Sequence, residues 1–341
     1  MRAAVYYSND DLRIEARPRP ALGDGDVLLR IEASGVCGSD LMEWYRKPKA
    51  PVVLGHEVTG VVCDVGRSVD RFRPGDRVVA THHVPCDTCR YCLADRHAVC
   101  ATLRETRFDP GGFCEQVRLG PLHVERGTFR LPDEVDFAAG TFVEPLACVV
   151  RGQRLAGGVE SRTVAVIGAG VSGVLHVQLA RAHGAERIVA ADVRDARCEA
   201  ARRFGADAAV RANAPAATER LLDALGGRGA DRVFVCAGAR PAFDLALAAV
   251  DRGGTVQPFA PLGPGERLPI DVLDLWTRGI SIVPSYSGPP ADMLAALDLI
   301  ASGRVDVRGM ITHRFPLSET GRAFRMMADG ACLKAIIEPQ R

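Results

Sequence analysis

Residues 163–185 read TVAVIGAGVSGVLHVQLARAHGA, and this stretch decides the fold of the second part of the chain. Its opening TVAVI is apolar and largely β-branched, as in a buried strand, and the apolar residues from VSGVL onwards have the spacing of a helix. Between them, Gly168, Gly170 and Gly173 form the pattern GxGxxG. The stretch therefore predicts a strand, a tight glycine turn and a helix, the unit in which this pattern binds a dinucleotide.

Each glycine of this turn has a physical role at a phosphate site. The first permits the tight turn, the second lets the backbone approach a pyrophosphate, and the third lets the helix pack closely on the strand. The phosphates would then lie at the N-terminus of the helix, which begins at Val171. We expect Gly168, Gly170, Val171 and Gly173 to contact the cofactor.

The next predicted strand, RIVAAD, ends at Asp192, about 20 residues after the glycine motif. A carboxylate at this place accepts hydrogen bonds from the ribose hydroxyls of adenosine and repels a 2′-phosphate, which favours NAD over NADP. Arg194 and Arg197 follow, and an arginine near that ribose can instead accommodate a 2′-phosphate. NADP therefore stays open, and we expect Asp192 and Arg197 at the cofactor.

The pattern of predicted strands and helices differs before and after this motif. After about residue 160, strands and helices alternate, which predicts a parallel sheet with helices on both faces. Before it, short β segments such as DVLLRIEASG are broken by Gly and Pro, and the tail up to LKAIIEP is similar to this first part. We therefore predict an α/β protein with one domain formed by residues 1–150 and 288–341 and another by residues 151–287.

The composition is that of an ordinary globular protein. The chain has 341 residues, 47% hydrophobic and 25% charged, which is enough for two domains of roughly 150 residues each. Its net charge of +1, without runs of like charge, favours neither nucleic acid nor a membrane surface as a partner. No apolar stretch approaches the roughly 20 residues of a transmembrane helix, and the N-terminus lacks the pattern of a signal peptide. We expect a small-molecule partner and a cytoplasmic location.

Four closely spaced cysteines lie in the segment CDTCRYCLADRHAVC. They are Cys86, Cys89, Cys92 and Cys100. One loop with these spacings can wrap four thiolates tetrahedrally around Zn²⁺ and leave no coordination position open. The alternative is a pair of redox CxxC motifs, but thioredoxin-like chemistry needs one CxxC at a strand-to-helix junction. The loop therefore predicts a structural zinc site.

A second set of metal-binding residue types is dispersed along the first part of the chain. Cys37 lies in GVCGSD, His56 and Glu57 lie in LGHEVTG, and Glu144 lies in VEPLAC. A thiolate, an imidazole and a carboxylate from separate loops would hold a zinc ion with a position open for water or substrate, which is a catalytic arrangement. The adjacent pair His82 and His83 has no ligand-like spacing, and we assign it no role.

Together these motifs resemble the zinc-dependent medium-chain dehydrogenase/reductase, or alcohol dehydrogenase, family. GVCGSD, GHEVTGVV, PGDRVV, the four-cysteine loop, GGFCEQV, VEPLAC and VIGAGVSG occur in the order typical of it, and the resemblance covers essentially the whole chain. The glutamate of VEPLAC makes the chain similar to the sorbitol and threonine dehydrogenase branch. The resemblance implies a GroES-like, mostly β catalytic domain, a Rossmann domain with a doubly wound parallel sheet, and an active site in the cleft between them.

The resemblance also implies roles for single residues. Cys37 and His56 would be the constant ligands of the catalytic zinc, while Glu57 and Glu144 would bind it directly or through water. Which of the two glutamates binds directly stays open at this point.

The resemblance also implies roles for Ser39 and Asp40, which follow Cys37 closely and are not zinc ligands. Ser39 would begin a proton relay from the substrate hydroxyl, and Asp40 would orient a zinc ligand. Many relatives have a histidine three residues after this serine, where this chain has Met42. The usual exit of the proton relay is missing, which weakens threonine as a substrate.

Our main hypothesis is the oxidation of a secondary alcohol of a polyol, sugar or cyclitol to a ketone, with hydride transfer to NAD. The alternatives are an amino-alcohol dehydrogenase of the threonine 3-dehydrogenase type and a biosynthetic carbonyl reductase. Outside the enzymes, a NAD-binding redox sensor could use the cysteine loop. The resemblance further implies a homodimer or homotetramer, for which the edge segment SIVPSYS is the candidate interface.

Overall fold

The computed structural model describes residues 1–341, which divide into two compact units. The first unit comprises Met1–Ala147, Ser287–Gly303 and Val307–Arg341. The second comprises Cys148–Tyr286 and Arg304–Asp306. The C-terminal part of the chain thus returns to complete the first unit.

Sixteen strands and eleven helices are numbered here in chain order. The strands are β1 (Arg2–Ser8), β2 (Asp11–Ala16), β3 (Val27–Gly35), β4 (Val52–Val53), β5 (Glu57–Val65), β6 (Arg77–Thr81), β7 (Gln116–Leu119), β8 (Thr128–Arg130), β9 (Thr163–Ile167), β10 (Arg187–Asp192), β11 (Ala208–Arg211), β12 (Ala230–Val235), β13 (Val250–Pro258), β14 (Ser281–Ile282), β15 (Ile311–Pro316) and β16 (Lys334–Glu338). The helices are α1 (Glu43–Arg46), α2 (Ala101–Glu105), α3 (Phe137–Gly140), α4 (Val143–Leu155), α5 (Val171–Ala182), α6 (Asp195–Arg203), α7 (Ala217–Ala224), α8 (Arg240–Ala249), α9 (Val272–Arg278), α10 (Pro290–Ala301) and α11 (Thr320–Ala328). None of these helices combines the length and the apolar character that crossing a membrane requires.

The first unit is built from mostly antiparallel β structure, as its broken β segments predict. β2, β1 and β4 form a three-stranded sheet, and the larger sheet has the order β15-β16-β3-β5-β6-β8, with β7 paired to β3. Its largest pairing joins β3 and β5, and Gly35 at the end of β3 lies opposite Glu57 at the start of β5. The buried rings of Tyr6 and Phe113 both pack on Phe324, at 6.4 and 5.8 Å between centroids. These contacts tie α11 into the core of the first unit.

The second unit contains the parallel sheet that the alternating pattern predicts. Its strand order is β11-β10-β9-β12-β13-β14, and every pair in it is parallel. In the order of the chain this is 3-2-1-4-5-6, the doubly wound arrangement in which dinucleotides bind at the carboxyl ends of the central strands. The α/β fold class is therefore confirmed.

Alternate residues along each central strand face opposite sides of the sheet, and both sides are apolar. Val164 and Val166 belong to a core cluster on one side, whereas Ala165 and Ile167 belong to a cluster on the other. All five residues of β9 are buried, as expected for a central strand covered by helices on both faces. The burial holds the glycine turn after β9 in a fixed place.

Candidate active site

The first candidate ligand, Cys37, lies just after β3, where the chain turns into a short 3-10 helix, Gly38–Leu41. The thiol sulphur of Cys37 accepts a hydrogen bond from the backbone N–H of Ser39 (3.4 Å), and the Asp40 carboxylate accepts one from the backbone N–H of Cys37 (3.1 Å). These reciprocal bonds form a capping box in which cysteine takes the usual place of serine. The turn therefore fixes the direction of the thiol.

The other two candidate ligands come from the start of β5, the strand that pairs with β3. His56 precedes β5 and Glu57 is its first residue, and both are buried. Because β3 and β5 run side by side, the chain after β3 and the chain before β5 meet at one edge of the sheet. One ligand atom each of Cys37, His56 and Glu57 lies within 4.8 Å of the others. A thiolate, an imidazole and a carboxylate at this separation suit a zinc ion with a further position open.

The Asp40 carboxylate lies beside the imidazole of this group. Its Oδ1 lies 3.4 Å from Nδ1 of His56, and the Asp40 side chain is fully buried. Burial acts against both charges, but the Asp40 carboxylate and the Cys37 thiol still raise the pKa of His56 well above its ordinary value. A zinc-binding histidine commonly gives its other ring N–H to a carboxylate, and Asp40 is the carboxylate beside Nδ1 of His56, so Nε2 would be the nitrogen left for a metal ion.

Glu144 is not a member of this three-residue group. It is near the start of α4 and is buried, but the set of mutually close ligand atoms contains Glu57 and not Glu144. Of the two carboxylates that the sequence offers, Glu57 is the one that lies with Cys37 and His56.

Glu57 has a cationic partner that sequence reasoning missed. The Lys334 ammonium group at the start of β16 donates to Glu57 Oε2 and, at 3.1 Å, to the carbonyl of Val36, and both side chains of the ion pair are 1% exposed. The site requires glycine at position 35, because a Cβ there would overlap Oε2 of Glu57. Lys334 and Glu57 are 277 residues apart, so no local pattern could have linked them.

Ser39 also has a partner that the sequence did not indicate. Its hydroxyl oxygen accepts a hydrogen bond from the Arg46 guanidinium at 2.9 Å, and its hydroxyl lies 3.4 Å from the sulphur of Cys37. Arg46 also donates to the carbonyl of Ser39 and lies 3.4 Å from the Asp40 carboxylate. The positive charge near Ser39 therefore comes from Arg46 on α1, four residues after Met42.

The histidine pair to which we assigned no role lies directly beside the ligand group. The ring centroids of His56 and His82 are 4.8 Å apart, and those of His82 and His83 are 3.6 Å apart. Burial and nearby positive charges lower the pKa of His83 to about 3 and that of His82 well below its ordinary value, so both imidazoles are neutral at pH 7. Their position at the end of β6, which pairs with β5, is what brings them here.

The four thiols of the cysteine loop lie together, as a structural zinc site requires. The sulphur atoms are 3.6 Å apart for Cys89 and Cys92, 3.6 Å for Cys86 and Cys100, and 4.0 Å for Cys86 and Cys92. Four sulphurs around one zinc ion at about 2.3 Å would be roughly 3.8 Å apart, so the set fits the metal. Hydrogen bonds from Thr88 and from the backbone N–H of Cys89 lower the pKa of Cys86 to about 5, which favours the thiolate that zinc binds.

In the second unit, the glycine turn has the geometry that its sequence predicts. Gly168 has a φ of +95°, and Gly170 is the N-cap of α5. A Cβ at Gly173 would overlap the carbonyl oxygen of Gly168, so only glycine lets α5 begin this close to β9. Val171 is the first residue of α5, and the free N–H groups of its first turn form a site for phosphate.

Asp192 and Arg197 lie beside the same turn. The Asp192 carboxylate accepts hydrogen bonds from the backbone N–H of Ala169 (2.8 Å) and of Arg194 (2.9 Å). A guanidinium nitrogen of Arg197 is 3.9 Å from Asp192 and would lie 3.8 Å from a Cβ at Gly170. The turn therefore carries both an anion and a cation at the place where an adenosine ribose would bind.

Comparison with known proteins agrees with both units. Residues 23–132 match the family model "Alcohol dehydrogenase GroES-like domain", and residues 172–302 match the model "Zinc-binding dehydrogenase". The first match lies in the β-rich unit with the clustered ligands, and most of the second covers the parallel sheet.

Relatives match over nearly the full length. Sorbitol dehydrogenase of Gallus gallus is 30% identical over 98% of this chain and 96% of its own. The protein named Probable D-xylulose reductase A of Aspergillus clavatus is 31% identical over 96% of this chain and 93% of its own. A solved structure described as a zinc-binding dehydrogenase, from Sinorhizobium meliloti 1021 and bound to NADP, is 30% identical, has a TM-score of 0.88 and matches 99% of each chain. The chain belongs to the zinc-dependent medium-chain dehydrogenase family, in its sorbitol dehydrogenase-like branch.

Proposed function

We propose that this dehydrogenase oxidises a secondary alcohol of a polyol, sugar or cyclitol to a ketone and transfers the hydride to NAD. The observation that carries the proposal is the group formed by Cys37, His56 and Glu57, a ligand set for a zinc ion with an open position. The relatives named sorbitol dehydrogenase and xylulose reductase support the polyol class.

The residues of the first unit would hold two zinc ions. Cys37, His56 and Glu57 would bind a catalytic ion, with Glu144 acting at most through water, and the four cysteines of the loop would bind a structural ion. When bound, the catalytic zinc supplies a Lewis acid that lowers the pKa of an alcohol oxygen. Asp40 keeps the His56 ring in place for this role.

Ser39 would receive the proton of the substrate hydroxyl. Arg46 donates to the Ser39 oxygen and so holds it in one position, with an oxygen lone pair left for the substrate. Arg46 is permanently charged and cannot take the proton itself. Arg46 therefore positions Ser39. As Ser39 takes the substrate proton, it would release its own hydroxyl proton towards solvent, because Met42 stands where relatives have the histidine of the relay.

Replacing Ser39 by Ala tests this role. We expect kcat to fall by about 100-fold, the usual effect of losing a positioned proton-transfer group, while the zinc content is unchanged. Steady-state kinetics and metal analysis on the same preparation measure both. A variant with wild-type turnover would remove Ser39 from the mechanism.

The second unit would bind the cofactor. We propose residues 151–287 as the NAD-binding domain and residues 1–150 and 288–341 as the catalytic domain, boundaries close to those of the two compact units. Gly168, Gly170, Val171 and Gly173 would hold the pyrophosphate, and the negative charge of Asp192 favours NAD because it repels a 2′-phosphate. The bound nicotinamide supplies the hydride acceptor.

The variant Asp192→Asn tests the cofactor preference. Asparagine keeps an acceptor for the backbone N–H groups but removes the charge, so we expect the ratio of kcat/KM for NAD to that for NADP to fall by about 10-fold. Arg197→Ala should move the ratio in the opposite direction, because it removes the cation that a 2′-phosphate could use. An unchanged ratio in Asp192→Asn would show that the cofactor is chosen elsewhere.

The substrate class is tested by NADH formation with zinc-loaded enzyme and a panel of polyols, cyclitols, secondary alcohols and threonine. We expect turnover of polyols or cyclitols and little with threonine. Faster turnover of the matched ketones in the reverse direction would favour a carbonyl reductase. No NADH formation with any substrate, in a protein shown to bind zinc and NAD, would favour the redox sensor.

We also propose a homodimer or homotetramer that forms through the edge of the second unit. β14 is the edge strand of the parallel sheet, and α9, just before it, exposes the apolar residues Val272, Leu273 and Trp276. An open edge next to exposed apolar side chains is typical of a subunit interface. Light scattering that gives the 36.5 kDa mass of a monomer would contradict this proposal.

A cytoplasmic location is the last part of the proposal. None of the eleven cysteines takes part in a disulfide, the state that a reducing compartment maintains. Cell fractionation with an antibody to the protein measures the location directly, and recovery outside the cytoplasm would contradict it.

A further inference from the structure

A group of buried polar side chains in the second unit has no role in the proposed reaction. It comprises Gln153 on α4, His176 on α5 and Gln257 on β13, all three of them buried. Oε1 of Gln153, Nε2 of His176 and Oε1 of Gln257 have no hydrogen-bond partner. Because an unpaired polar atom inside a protein costs stability, these atoms require an explanation.

Two contacts join Gln153 to His176. The amide nitrogen of Gln153 donates to the carbonyl of His176 at 2.9 Å and lies 3.4 Å from Nδ1 of the same residue. An amide nitrogen only donates, so Nδ1 accepts and the ring proton is on Nε2. Burial lowers the pKa of His176 to about 3, which keeps the ring neutral. The imidazole is therefore held in one tautomer, with a buried N–H at Nε2.

His176 and Gln257 both adjoin Gly152 of α4. An ideal Cβ at residue 152 would lie 3.4 Å from Cε1 of His176 and 3.3 Å from Oε1 of Gln257. Both side chains therefore border the space that a side chain at this position would take. The imidazole of His176 and the amide oxygen of Gln257 thus meet at one glycine, and a larger residue there would press on both.

The same side chains contact the chain at the end of β13. Nε2 of Gln257 donates to the carbonyl of Pro258 at 3.1 Å. The ring of His176 stacks on Phe234 of β12, with centroids 4.4 Å apart, and meets the ring of Phe259 edge-on at 4.9 Å. Phe259 is half-buried, so part of its surface remains accessible. The polar group therefore reaches from two helices to the end of β13 and the residue after it.

The chain after β13 is attached to the chain after β12. The backbone N–H groups of Phe259 and Ala260 both donate to the carbonyl of Val235, at 3.0 and 2.9 Å. A Cβ at Gly238 would overlap the carbonyl oxygen of Pro261, so the two connections pack closely. Both connections therefore lie together at the carboxyl ends of neighbouring strands.

This edge of the sheet is where the second half of a dinucleotide would bind. A Cβ at Gly168 would lie 2.9 Å from Cβ of Ala237, so the chain after β12 adjoins the glycine turn. Asp192 belongs to β10, on the other side of β9, and marks the adenosine half. Because a dinucleotide spans the carboxyl ends of the strands in a doubly wound sheet, the nicotinamide half would lie towards β12 and β13.

We propose that Gln153, His176 and Gln257 are positioning residues for the nicotinamide half of the cofactor. They would hold residues 258–260 in the position that receives it. Gln257 acts through a backbone carbonyl of this segment and His176 through the ring of Phe259, while Gln153 fixes His176. The proposal rests on the proposed function, because it concerns the NAD site of the same unit. Local bonding rules are commonly broken at functional sites, which accounts for the unpaired atoms.

Two ligands separate the halves of the cofactor site. NAD contains both halves, whereas ADP-ribose lacks the nicotinamide ring. Gln257→Met keeps the volume of the side chain and removes its donor, so we expect about 10-fold weaker binding of NAD, the effect of losing one positioned hydrogen bond. The affinity for ADP-ribose should change by less than about 2-fold. Calorimetry with the zinc-loaded full chain measures both affinities, and the fluorescence of bound NADH reports the surroundings of the nicotinamide ring.

Gly152→Ala tests the same group without weakening the helix that carries it. Alanine favours a helix more than glycine does, so α4 itself should not lose stability. The new Cβ would press on His176 and Gln257, and we expect about 3-fold weaker binding of NAD with unchanged binding of ADP-ribose. A lower NAD affinity without a lower melting temperature could not result from a damaged fold.

Gln178→Met is the matched control. Gln178 is buried on α5, two residues after His176, and its amide bonds to the backbone of Asp306. The substitution is the same as in Gln257→Met, and it also removes hydrogen bonds to backbone groups. We expect the ratio of NAD to ADP-ribose affinity to stay within about 2-fold of the wild type. A change as large as that in Gln257→Met would overturn the proposal, because any buried glutamine of this unit would then have the effect.

Failure of this proposal and failure of the proposed function give different results. Variants of Gln257 and Gly152 that bind NAD as the wild type does, or that lose affinity for NAD and ADP-ribose equally, would overturn the positioning role and leave the proposed function intact. A wild-type protein that binds neither ligand would contradict the NAD-binding domain and the positioning role with it. The expected difference between the two ligands, without turnover of any alcohol, would support the positioning role and contradict the proposed oxidation.

Discussion

Replacing His56 by Ala is expected to lower kcat/KM by at least about 1,000-fold, because the loss of Lewis-acid catalysis costs several kcal/mol of transition-state stabilisation. His56 is buried between Cys37 and Asp40, and no other histidine nitrogen belongs to the ligand group. Without it, a thiolate and a carboxylate remain, which is too few protein ligands for a catalytic zinc site.

Metal analysis separates this loss from general damage. We expect two zinc ions per chain in the wild type and one in His56→Ala, because the four cysteines form a separate site in the loop. His313→Ala is the matched control, since this histidine lies in the same unit on β15 and bonds only to Thr312. Two zinc ions in the His56 variant, or activity near that of the wild type, would contradict the assignment.

The parts of the molecule that sequence reasoning predicted depend on short stretches of chain. The glycine turn is one example, because Gly168 and Gly173 act within six residues and need only the flanking strand and helix. The cysteine loop is another, since its four thiols lie within fifteen residues. In both, spacing along the chain limits the distance in space, so the residue types alone indicate the chemistry.

The group formed by Cys37, His56 and Glu57 could not be predicted from the spacing of residues along the chain alone. Cys37 and His56 are brought together by the pairing of β3 with β5, and the sequence indicated this only through the resemblance to a family. The resemblance left Glu57 and Glu144 as equal candidates. The structure places Glu57 in the group, because Glu57 begins the strand that pairs with β3, whereas Glu144 lies on a helix.

Sequence reasoning missed the partners whose side chains lie in an environment that is unusual for their residue type. Lysine is normally exposed, yet Lys334 is buried because β16 pairs with the end of β3 and brings it against Glu57. His82 had no ligand-like spacing, and its place beside His56 follows only from the pairing of β6 with β5. Arg46 carried no signal in the sequence, and a single turn of helix directs it back to Ser39.

Replacing Lys334 by Met should lower the melting temperature of the first unit by about 10 °C, because removing one partner of a buried ion pair costs about 3–5 kcal/mol. The methionine has a similar volume, so the loss comes from charge and hydrogen bonding. Glu57 would stay buried without its cation, and the carbonyl of Val36 would lose its donor. Calorimetry of the metal-free protein measures the change.

A double variant also removes the unpaired charge of Glu57. Glu57→Gln combined with Lys334→Met should recover most of the lost stability, because a buried pair of neutral groups leaves no uncompensated charge. Lys47→Met is the matched control: its pair with Glu43 is exposed, and its loss should cost less than about 1 kcal/mol. A double variant as unstable as Lys334→Met would show that the charge of Glu57 is not the cause.

Added zinc tests whether a metal ion can compensate the charge of Glu57 when Lys334 is absent. If the carboxylate is a ligand, a zinc ion provides the positive partner that Lys334→Met lacks, and binding to the folded state alone adds about 2.7 kcal/mol at 100 times the dissociation constant. We therefore expect added zinc to raise the melting temperature of Lys334→Met more than that of the double variant, in which position 57 carries no charge. Equal shifts in the two variants would mean that Glu57 serves only as the partner of Lys334, and that Cys37 and His56 hold the metal without it.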